Sequence, residues 1–504
     1  MKYLKGNYFS RLLMVLIIIF VDSPWIYCQN HEHSSWQLGD LKKDKVMGIS
    51  AGLAYHELLQ GRTGIPIIVA VIDGGVDTMH SELSPVIWRN DSEIPGNGKD
   101  DDQNGYIDDI HGWNFLGSSK GSFQQDNYDL IRQLRKSTKG TNEAKQLLAS
   151  VDASRRKVQQ EIKETRATIE AFETIISGIG KPNPTVVDLR NYRYHDYAQE
   201  QILIKIVAAL RQKPDLEAYR NHLQSQLNRA LDELNYSLNI DYNPRRGKAF
   251  ENPYNGNGDV QGAWVLHGSH VAGIIAGRSV GVARNNVELM ILRTIPTGDY
   301  LDIDMARAIR YAADNGAKII NISAGKSGST DLELIESAVR YAMDKDVLII
   351  HACGNNGEFL TQGYYPRATY RQGGKAKSWI EVGGSSYAND STLILKASNY
   401  GKAVVDIFAP GLNIRSCSSG NTYSERSGTS MASAVVSGIA AVLRSYYPGF
   451  SAEKVRELIL TSVNRVDYNV LSPKGIMIPF TEICGSSGIA NLYLALEQAE
   501  KLKD

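Results

Sequence analysis

Residues 65–73, IPIIVAVID, form a nearly continuous run of β-branched and apolar residues that ends in an acid. A run of this kind is typical of a strand buried on both faces of a sheet. The pattern recurs in four later stretches: VELMILRT from Val287, AKIINIS from Ala317, VLIIHACG from Val347 and WIEVGG from Trp379. Amphipathic stretches from Met305 and from Leu332 lie between them and end near turn residues, as helices do. The alternation predicts an α/β fold in which a mainly parallel sheet lies between two helical layers.

The overall composition is that of an ordinary globular protein. Of the 504 residues, 42% are hydrophobic and 22% are charged, and the length is enough for one large domain with an addition. Lysine plus arginine and aspartate plus glutamate both number 55. This balance gives no electrostatic reason to expect nucleic acid or an anionic membrane as a partner.

The N-terminus resembles a secretory signal. Three basic residues precede LLMVLIIIFV at residues 12–21, a run too short to span a bilayer comfortably. We expect residues 1–28 to be removed, leaving no membrane span, and the protein to be exported to the periplasm, the cell envelope or the medium. An uncleaved anchor and a lipid on Cys28 remain alternatives. The other cysteines are Cys353, Cys417 and Cys484, too few for a disulfide framework in so long a chain.

Residues 126–245 interrupt the strand–helix rhythm. Apolar residues recur there at alternating three- and four-residue spacing within a Lys-, Arg-, Glu- and Gln-rich background: Val151, Val158, Ile162, Ile169, Phe172 and Ile176. This spacing predicts a coiled-coil-like helical hairpin, and further helices follow after the KPNP break at Lys181. A solvated structural hairpin is one interpretation, and a partner-docking or substrate-gating element is the other.

Four polar residues lie at positions where α/β folds build sites. Asp73 ends a buried strand, Asn355 follows another, and His267 and Ser430 open small-residue helices. Each has a structural explanation by itself. Together they supply a nucleophile (Ser430), a base (His267), a group that orients the base (Asp73) and an oxyanion donor (Asn355).

These residues lie in segments that resemble the signatures of the subtilases, the subtilisin-like serine endopeptidases. The segments are VAVIDGGVD from Val69, HGSHVAGIIAG from His267, ACGNNG from Ala352 and GTSMASA from Gly428. The order Asp, His, Ser is the subtilisin order. The match covers roughly residues 40–115 and 255–500.

The resemblance implies a subtilisin-like three-layer fold and hydrolysis of a protein or peptide substrate through an acyl-enzyme at Ser430, with no cofactor required. It also implies that the substrate lies extended against exposed strand edges, near Ser323, Ala324 and Gly325 and near Gly383, with Gly354 contributing to the binding site.

Spacing is the largest departure from the family pattern. His267 and Ser430 are 163 residues apart, as in small subtilases, whereas 194 residues separate Asp73 from His267. The helical insertion accounts for this gap and resembles that of a group of exported bacterial subtilases. We therefore expect a peptidase domain in two parts, 29–125 and 246–504, around an insertion at 126–245. Too few residues precede the first strand for the family's usual folded inhibitory prodomain.

Two alternatives to general proteolysis stay open. One is a non-catalytic subtilase scaffold that binds a partner protein through its helical insertion, although four retained site residues argue against it. The other is an enzyme that mainly cleaves one partner protein.

The segment DDDQNGYIDD contains a candidate calcium loop. Oxygen ligands at the required spacing are Asp100, Asp102, Asn104, the Tyr106 carbonyl and Asp108. The twelfth position holds His111 where a bidentate glutamate is usual, so an acidic Asn-Gly turn is the alternative. His270 lies on the same helix face as His267, and we expect packing there in preference to a metal pair.

Overall fold

The computed structural model describes residues 35–118, 120–181, 183–212, 215–246, 255–262, 265–284 and 286–502. The predicted signal at 1–28 lies outside these residues. From Ser35 onward the chain forms one compact unit, so the division at residues 125 and 245 stays a prediction.

Within the described residues, the strands form one large sheet and three small hairpins. In chain order they are β1 Ile67–Asp73, β2 Gly112–Asn114, β3 Gly117–Ser118, β4 Gly121–Ser122, β5 Val287–Arg293, β6 Ile319–Ile322, β7 Leu348–Ala352, β8 Trp379–Ser385, β9 Ile407–Pro410, β10 Ile414–Ser418, β11 Thr422–Arg426, β12 Val463–Arg465, β13 Asn469–Leu471, β14 Met477–Pro479 and β15 Gly488–Ala490. The large sheet has the order β12-β15-β9-β8-β7-β6-β1-β5-β2 and is parallel except at β12–β15. The α/β prediction with a mainly parallel sheet is confirmed.

The helices cover both faces of this sheet and also form a separate segment. They are α1 Ala51–Glu57, α2 Asp129–Lys136, α3 Asn142–Ile179, α4 Val186–Arg190, α5 Tyr197–Gln212, α6 Leu216–Asp232, α7 Val265–Ala276, α8 Asp302–Asp314, α9 Leu332–Asp344, α10 Thr429–Tyr446, α11 Ala452–Thr461 and α12 Leu492–Lys501.

The side chains of β1 explain the three layers. Val69 and Val71 belong to one hydrophobic cluster, with α7 and α10, whereas Ala70 and Ile72 belong to another, with α8 and α9. Successive side chains of a strand point to opposite faces. An apolar run without polar interruptions therefore requires helices on both sides, and the nearly continuous run at 65–73 has this property.

Helices α2–α6 make up the helical segment, which we define as residues 129–237. It has two small hydrophobic clusters of its own, one around Phe172 and the other around Val158. The hydroxyl of Thr141 caps α3 by accepting from the backbone N–H of Ala144 at 3.1 Å. Beyond α6 the chain makes a π-helical turn, Glu233–Ser237, the kind of irregularity that is frequent at functional sites.

The three cysteines within the described residues are buried free thiols. No described helix is long and apolar enough to cross a membrane.

Candidate active site

Asp73 and His267 contact each other at the carboxyl end of the sheet. Asp73 is the last residue of β1 and is 4% exposed, and His267 is the third residue of α7. Nδ1 of His267 lies 2.9 Å from both carboxylate oxygens of Asp73, and one of these oxygens also accepts from the backbone N–H of Gly74 at 2.7 Å. The pair holds the imidazole so that its Nε2 is left for other partners.

The surroundings raise the pKa of His267. Burial, the largest influence, disfavours the imidazolium, but the charge of Asp73 and its hydrogen bond together outweigh burial. The charge of Arg426 acts in the opposite direction to Asp73. The net effect makes His267 a stronger base than a free imidazole.

Ser430 is the second residue of α10, and it is 7% exposed. Its backbone N–H is one of those left unpaired at a helix N-terminus, where the helix dipole favours negative charge. Its hydroxyl donates to the carbonyl of Ser323 at 3.2 Å. The structure thus places Ser430 beside Ser323, and the hydroxyl must exchange this hydrogen bond for one to His267 before a proton can pass.

Asn355 lies in the exposed loop after β7, following Gly354. Its side-chain carbonyl accepts from the backbone N–H of Thr429 at 2.9 Å, which leaves its NH₂ group as a donor. Gly354 has φ +99°, and a Cβ there would lie 2.6 Å from the side chain of Asn399. Only glycine suits this position.

A cavity of about 490 Å³ lies between these segments. It is lined by Ser323, Ala324, Gly325, Gly354, Asn355 and Ser430, among others. All four residues predicted to bind substrate therefore share one cavity with the predicted nucleophile and the predicted oxyanion donor.

A buried histidine supports one wall of this cavity. Nε2 of His351 donates to the carbonyl of Ala324 at 2.9 Å, and Nδ1 lies 2.8 Å from a carboxylate oxygen of Glu381. His351 is fully buried. The contact fixes the Ser323–Gly325 segment from behind.

The prediction of an exposed strand edge near Gly383 is wrong. Gly383 lies inside β8, which pairs with β7 on one side and β9 on the other, with Gly383 opposite Phe408. Its backbone is therefore part of the buried sheet. The expected packing role of His270 agrees with the structure: its Nε2 donates to the carbonyl of Ser424 at 3.1 Å, and burial lowers its pKa to about 4.

A second cavity, of about 420 Å³, lies beside His267 and Asp73. The helical segment forms part of its wall through Arg229, Glu233 and Ser237, and Tyr128, the residue before α2, also lines it. The sequence patterns did not indicate these residues or Arg426, which also lines the cavity. Of these residues, only Arg426 could have been suspected from the sequence, because it lies four residues before Ser430.

The acidic loop is organised differently from the predicted calcium loop. Oxygens of Glu93, Asp100 and Asp102 converge to within 4.8 Å of one another. The carboxylate of Asp108 instead accepts from the backbone N–H groups of Asn97 and Gly98.

Asn104 ties this loop together. Its side-chain oxygen accepts from the backbone N–H of Tyr106 at 2.7 Å, and its NH₂ group donates to Asp102 at 3.1 Å. Glu93, which the sequence pattern did not indicate, replaces Asp108 in the convergent group.

The fold and the arrangement of Asp73, His267, Asn355 and Ser430 are characteristic of the subtilisin-like serine peptidases. The model of the subtilase family, Peptidase_S8, matches residues 64–476, and the chain belongs to this family.

Curated relatives agree with this assignment. The chain is 36% identical over 206 residues to the thermophilic serine proteinase of Bacillus sp. (strain AK1), a match that covers 40% of the chain and 47% of that relative. It is 33% identical over 219 residues to subtilisin DY of Bacillus licheniformis, covering 42% and 75%. It is 36% identical over 220 residues to thermitase of Thermoactinomyces vulgaris, covering 42% and 70%. The chain thus spans about half the length of the first of these relatives.

Among solved structures, a cold adapted subtilisin-like serine proteinase is 27% identical, and the match covers 46% of this chain and 78% of that chain with a TM-score of 0.38. The A-subunit of the AB5 toxin from E. coli is 26% identical, covering 47% and 79% with a TM-score of 0.39.

Proposed function

We propose that this protein is a serine endopeptidase that hydrolyses protein or peptide substrates through an acyl-enzyme. In this proposal Ser430 attacks the scissile carbonyl and His267 accepts its proton and returns it to the leaving amine. Asp73 orients the imidazole and stabilises its charged form. The side-chain NH₂ of Asn355 and the backbone N–H of Ser430 donate to the oxyanion.

The contact between Asp73 and His267 carries this proposal. Because Nδ1 of His267 faces both oxygens of Asp73 at 2.9 Å, its Nε2 is the atom that can take a proton from a neighbouring hydroxyl. Ser430 lines a cavity that shares Ser323 and Ala324 with the cavity beside His267. A substrate lying along Ser323–Gly325 would therefore bring its carbonyl between the two.

Fluorophosphonate labelling tests the proposal. We expect the folded protein to be labelled at Ser430, as mapped by mass spectrometry, and Ser430→Ala and heat-denatured protein to remain unlabelled. His267→Ala should slow labelling by several orders of magnitude, since the hydroxyl then lacks its base. A folded wild-type protein that stays unlabelled, with and without calcium, would contradict the proposal.

The proposal includes export and a structural calcium ion. The basic and apolar N-terminus supports removal of residues 1–28 and transfer to the periplasm, the cell envelope or the medium. The carboxylates of Glu93, Asp100 and Asp102 offer the hard oxygen ligands that calcium prefers, and a cation would relieve their mutual repulsion. Calcium takes no part in the chemistry in this proposal.

The proposal also gives the inserted residues 126–245 a role in the substrate cleft. Because Tyr128, Glu233 and Ser237 line the cavity beside His267, the helical segment stands where it can select among substrates. Removing 129–237 should therefore change peptide preference as well as stability. Unchanged kcat/KM values across a peptide panel, in a folded deletion variant, would contradict this role.

A further inference from the structure

The cavity beside His267 contains an arginine, Arg426, whose Nε atom has no hydrogen-bond partner among the described residues. This cavity of about 420 Å³ is bounded by His267, Ser323 and Arg426 on the peptidase side and by Tyr128 and Glu233 on the side of the helical segment. It borders the predicted base, so any group bound here lies close to the scissile bond.

The other charged groups of the cavity are accounted for. Asp73 contacts His267, as described above. Glu233 accepts a hydrogen bond from the hydroxyl of Tyr128, and burial raises the pKa of Glu233. Arg229 is exposed to solvent, which stabilises its charge.

Arg426 differs from all of these. Its side chain is partly buried, and its Nε atom is buried without a hydrogen-bond partner. Among the described residues, no carboxylate forms an ion pair with it. Burial, with no compensating anion, lowers the pKa of Arg426.

The backbone fixes Arg426 close to the reacting atoms. It is the last residue of β11, where it pairs with Ile414 of β10, and α10 with Ser430 begins three residues later. Its charge opposes the protonation of His267, a smaller effect than the opposite one of Asp73, which keeps the pKa of His267 raised. The guanidinium lines the same cavity as the base, and Arg426 is held by a hairpin that leads into the helix of the predicted nucleophile.

A partly buried cation with no counter-ion among the described residues is unfavourable, and a carboxylate is the ligand that fits a guanidinium best. Its planar fork of N–H donors matches the two oxygens of a carboxylate, and such charge-assisted pairs are among the strongest hydrogen bonds in proteins. Desolvation inside the cavity strengthens the pair further.

We propose that Arg426 determines specificity by binding a carboxylate of the substrate in this cavity. The carboxylate belongs to an aspartate or glutamate side chain near the scissile bond or to the C-terminus of a short peptide. This inference rests on the proposed peptidase activity, because the ligand is part of the substrate.

The experiment compares matched fluorogenic peptides. Glutamate and glutamine are exchanged at each position flanking the cleaved bond, and each peptide is made with a free and with an amidated C-terminus. For the wild-type protein we expect kcat/KM to be at least about tenfold higher for the charged member at one position or at the C-terminus. The position that shows the effect identifies the source of the carboxylate.

Variants assign the effect to Arg426. In Arg426→Gln the ratio should fall to about one, and in Arg426→Lys, which keeps the charge, part of the preference should return. The matched control is Arg415→Gln on the neighbouring strand β10: the guanidinium of Arg415 lies over the ring of Tyr423 at 4.1 Å and does not line the cavity. This control should keep the wild-type ratio. Thermal unfolding of each variant checks folding.

The outcomes separate this inference from the proposed function. A wild-type protein that is labelled at Ser430 and cleaves peptides without preferring a carboxylate at any position would overturn the inference alone. A preference that survives in Arg426→Gln would do the same. Absence of both labelling and cleavage would overturn the proposed function and the inference with it.

Discussion

The ammonium of Lys326 lies 2.7 Å from a carboxylate oxygen of Asp302 in a site where both side chains are at most 4% exposed. Lys326 directly follows the Ser323–Gly325 segment. Its Nζ also contacts Asp129 of α2 at 2.5 Å and the carbonyl of Tyr300 at 3.0 Å. One buried cation therefore joins the substrate cleft, the peptidase body and the helical segment.

A second cation extends this junction. Arg245 contacts Asp126 at 2.8 Å and Asp304 at 2.6 Å, and all three side chains are at most 12% exposed. Charges buried to this degree hold their partners in one geometry, because separating them would leave an unpaired charge in a medium of low dielectric constant. We infer that these ion pairs fix both ends of the inserted residues, at Asp126 and Asp129 and at Arg245, to the peptidase body.

Replacing Lys326 with methionine should destabilise the protein. The substitution nearly preserves the volume but leaves Asp302 without its cation, whereas Asp129 keeps Arg132 at 2.6 Å. Breaking a buried pair costs about 3–5 kcal/mol. We expect the free energy of unfolding, measured by chemical denaturation, to fall by at least about 3 kcal/mol. We also expect KM to rise, since Lys326 adjoins the substrate-binding segment.

The control for this substitution is Lys345→Met. Lys345 lies 3.6 Å from Asp314 in a pair whose side chains are about half exposed (48% and 50%), so its loss should change stability far less than the loss of Lys326. Equal effects of the two substitutions would contradict the role given to Lys326.

The pH dependence of activity should reflect the raised pKa of His267. The base must be neutral to accept a proton, so kcat/KM should fall on the acid side with a midpoint above 6.5. Because the folded pKa is the higher one, protonated His267 stabilises the folded protein below pH 6.5, and this contribution is lost as pH rises through the folded pKa.

Two variants check the origin of this midpoint. Asp73→Asn removes the carboxylate that favours the imidazolium and should lower the midpoint, together with a large loss of kcat. Arg426→Gln removes a charge that opposes protonation and should raise it. If the midpoint did not fall in Asp73→Asn and rise in Arg426→Gln, a group other than His267 would control the loss of kcat/KM at acid pH.

Asn355 should contribute through its NH₂ group. Loss of one oxyanion donor, as measured for the corresponding asparagine of subtilisin, costs about 10²–10³-fold in kcat, and we expect Asn355→Ala to show a loss of this size with little change in KM. Asn355→Asp keeps an oxygen that can accept from the backbone N–H of Thr429 but lacks the NH₂ donor. This variant therefore distinguishes a role of Asn355 in holding the start of α10 from a role in donating to the oxyanion.

Asn355→Asp should therefore be at least as slow as Asn355→Ala while unfolding at a temperature close to that of the wild-type protein. Asn389→Ala, at an exposed asparagine that accepts from the hydroxyl of Tyr468 at 2.8 Å, is the matched control and should keep wild-type kcat. If Asn355→Asp were as active as the wild-type protein, the oxyanion role would be excluded.

The sequence was most informative where a pattern is local. The run at 65–73 predicted β1 to within two residues, because a strand buried on both faces has no polar positions to obscure it. The same property misled the prediction at Gly383. The sequence of an apolar strand with two glycines is the same whether the strand lies at the edge of a sheet or in its interior. Only the pairing of β8 with β9, which begins at Ile407, shows that β8 is an interior strand.

Contacts between distant parts of the chain could not be predicted. Lys326 and Asp129 are 197 residues apart, and no periodicity relates them. Arg426 belongs to a short polar hairpin whose sequence does not show which side chain points toward His267. Such contacts depend on where the helical segment packs, and that is decided by tertiary structure.

The calcium proposal gives a test in which sequence pattern and structure disagree. The pattern names Asp108 as a ligand, whereas the structure brings Glu93 to Asp100 and Asp102 and turns Asp108 toward Asn97. At a calcium concentration of about one hundred times Kd, binding to the folded state alone adds about 2.7 kcal/mol of stability, which corresponds to a rise of several degrees in Tm.

We expect Glu93→Gln and Asp100→Asn to abolish most of this rise, and Asp108→Asn to keep it even if its own Tm is lower. The measurement is Tm by calorimetry with added calcium and with a chelator, with magnesium as the competing ion. A calcium response lost in Asp108→Asn and kept in Glu93→Gln would favour the loop that the sequence pattern describes over the one in the structure.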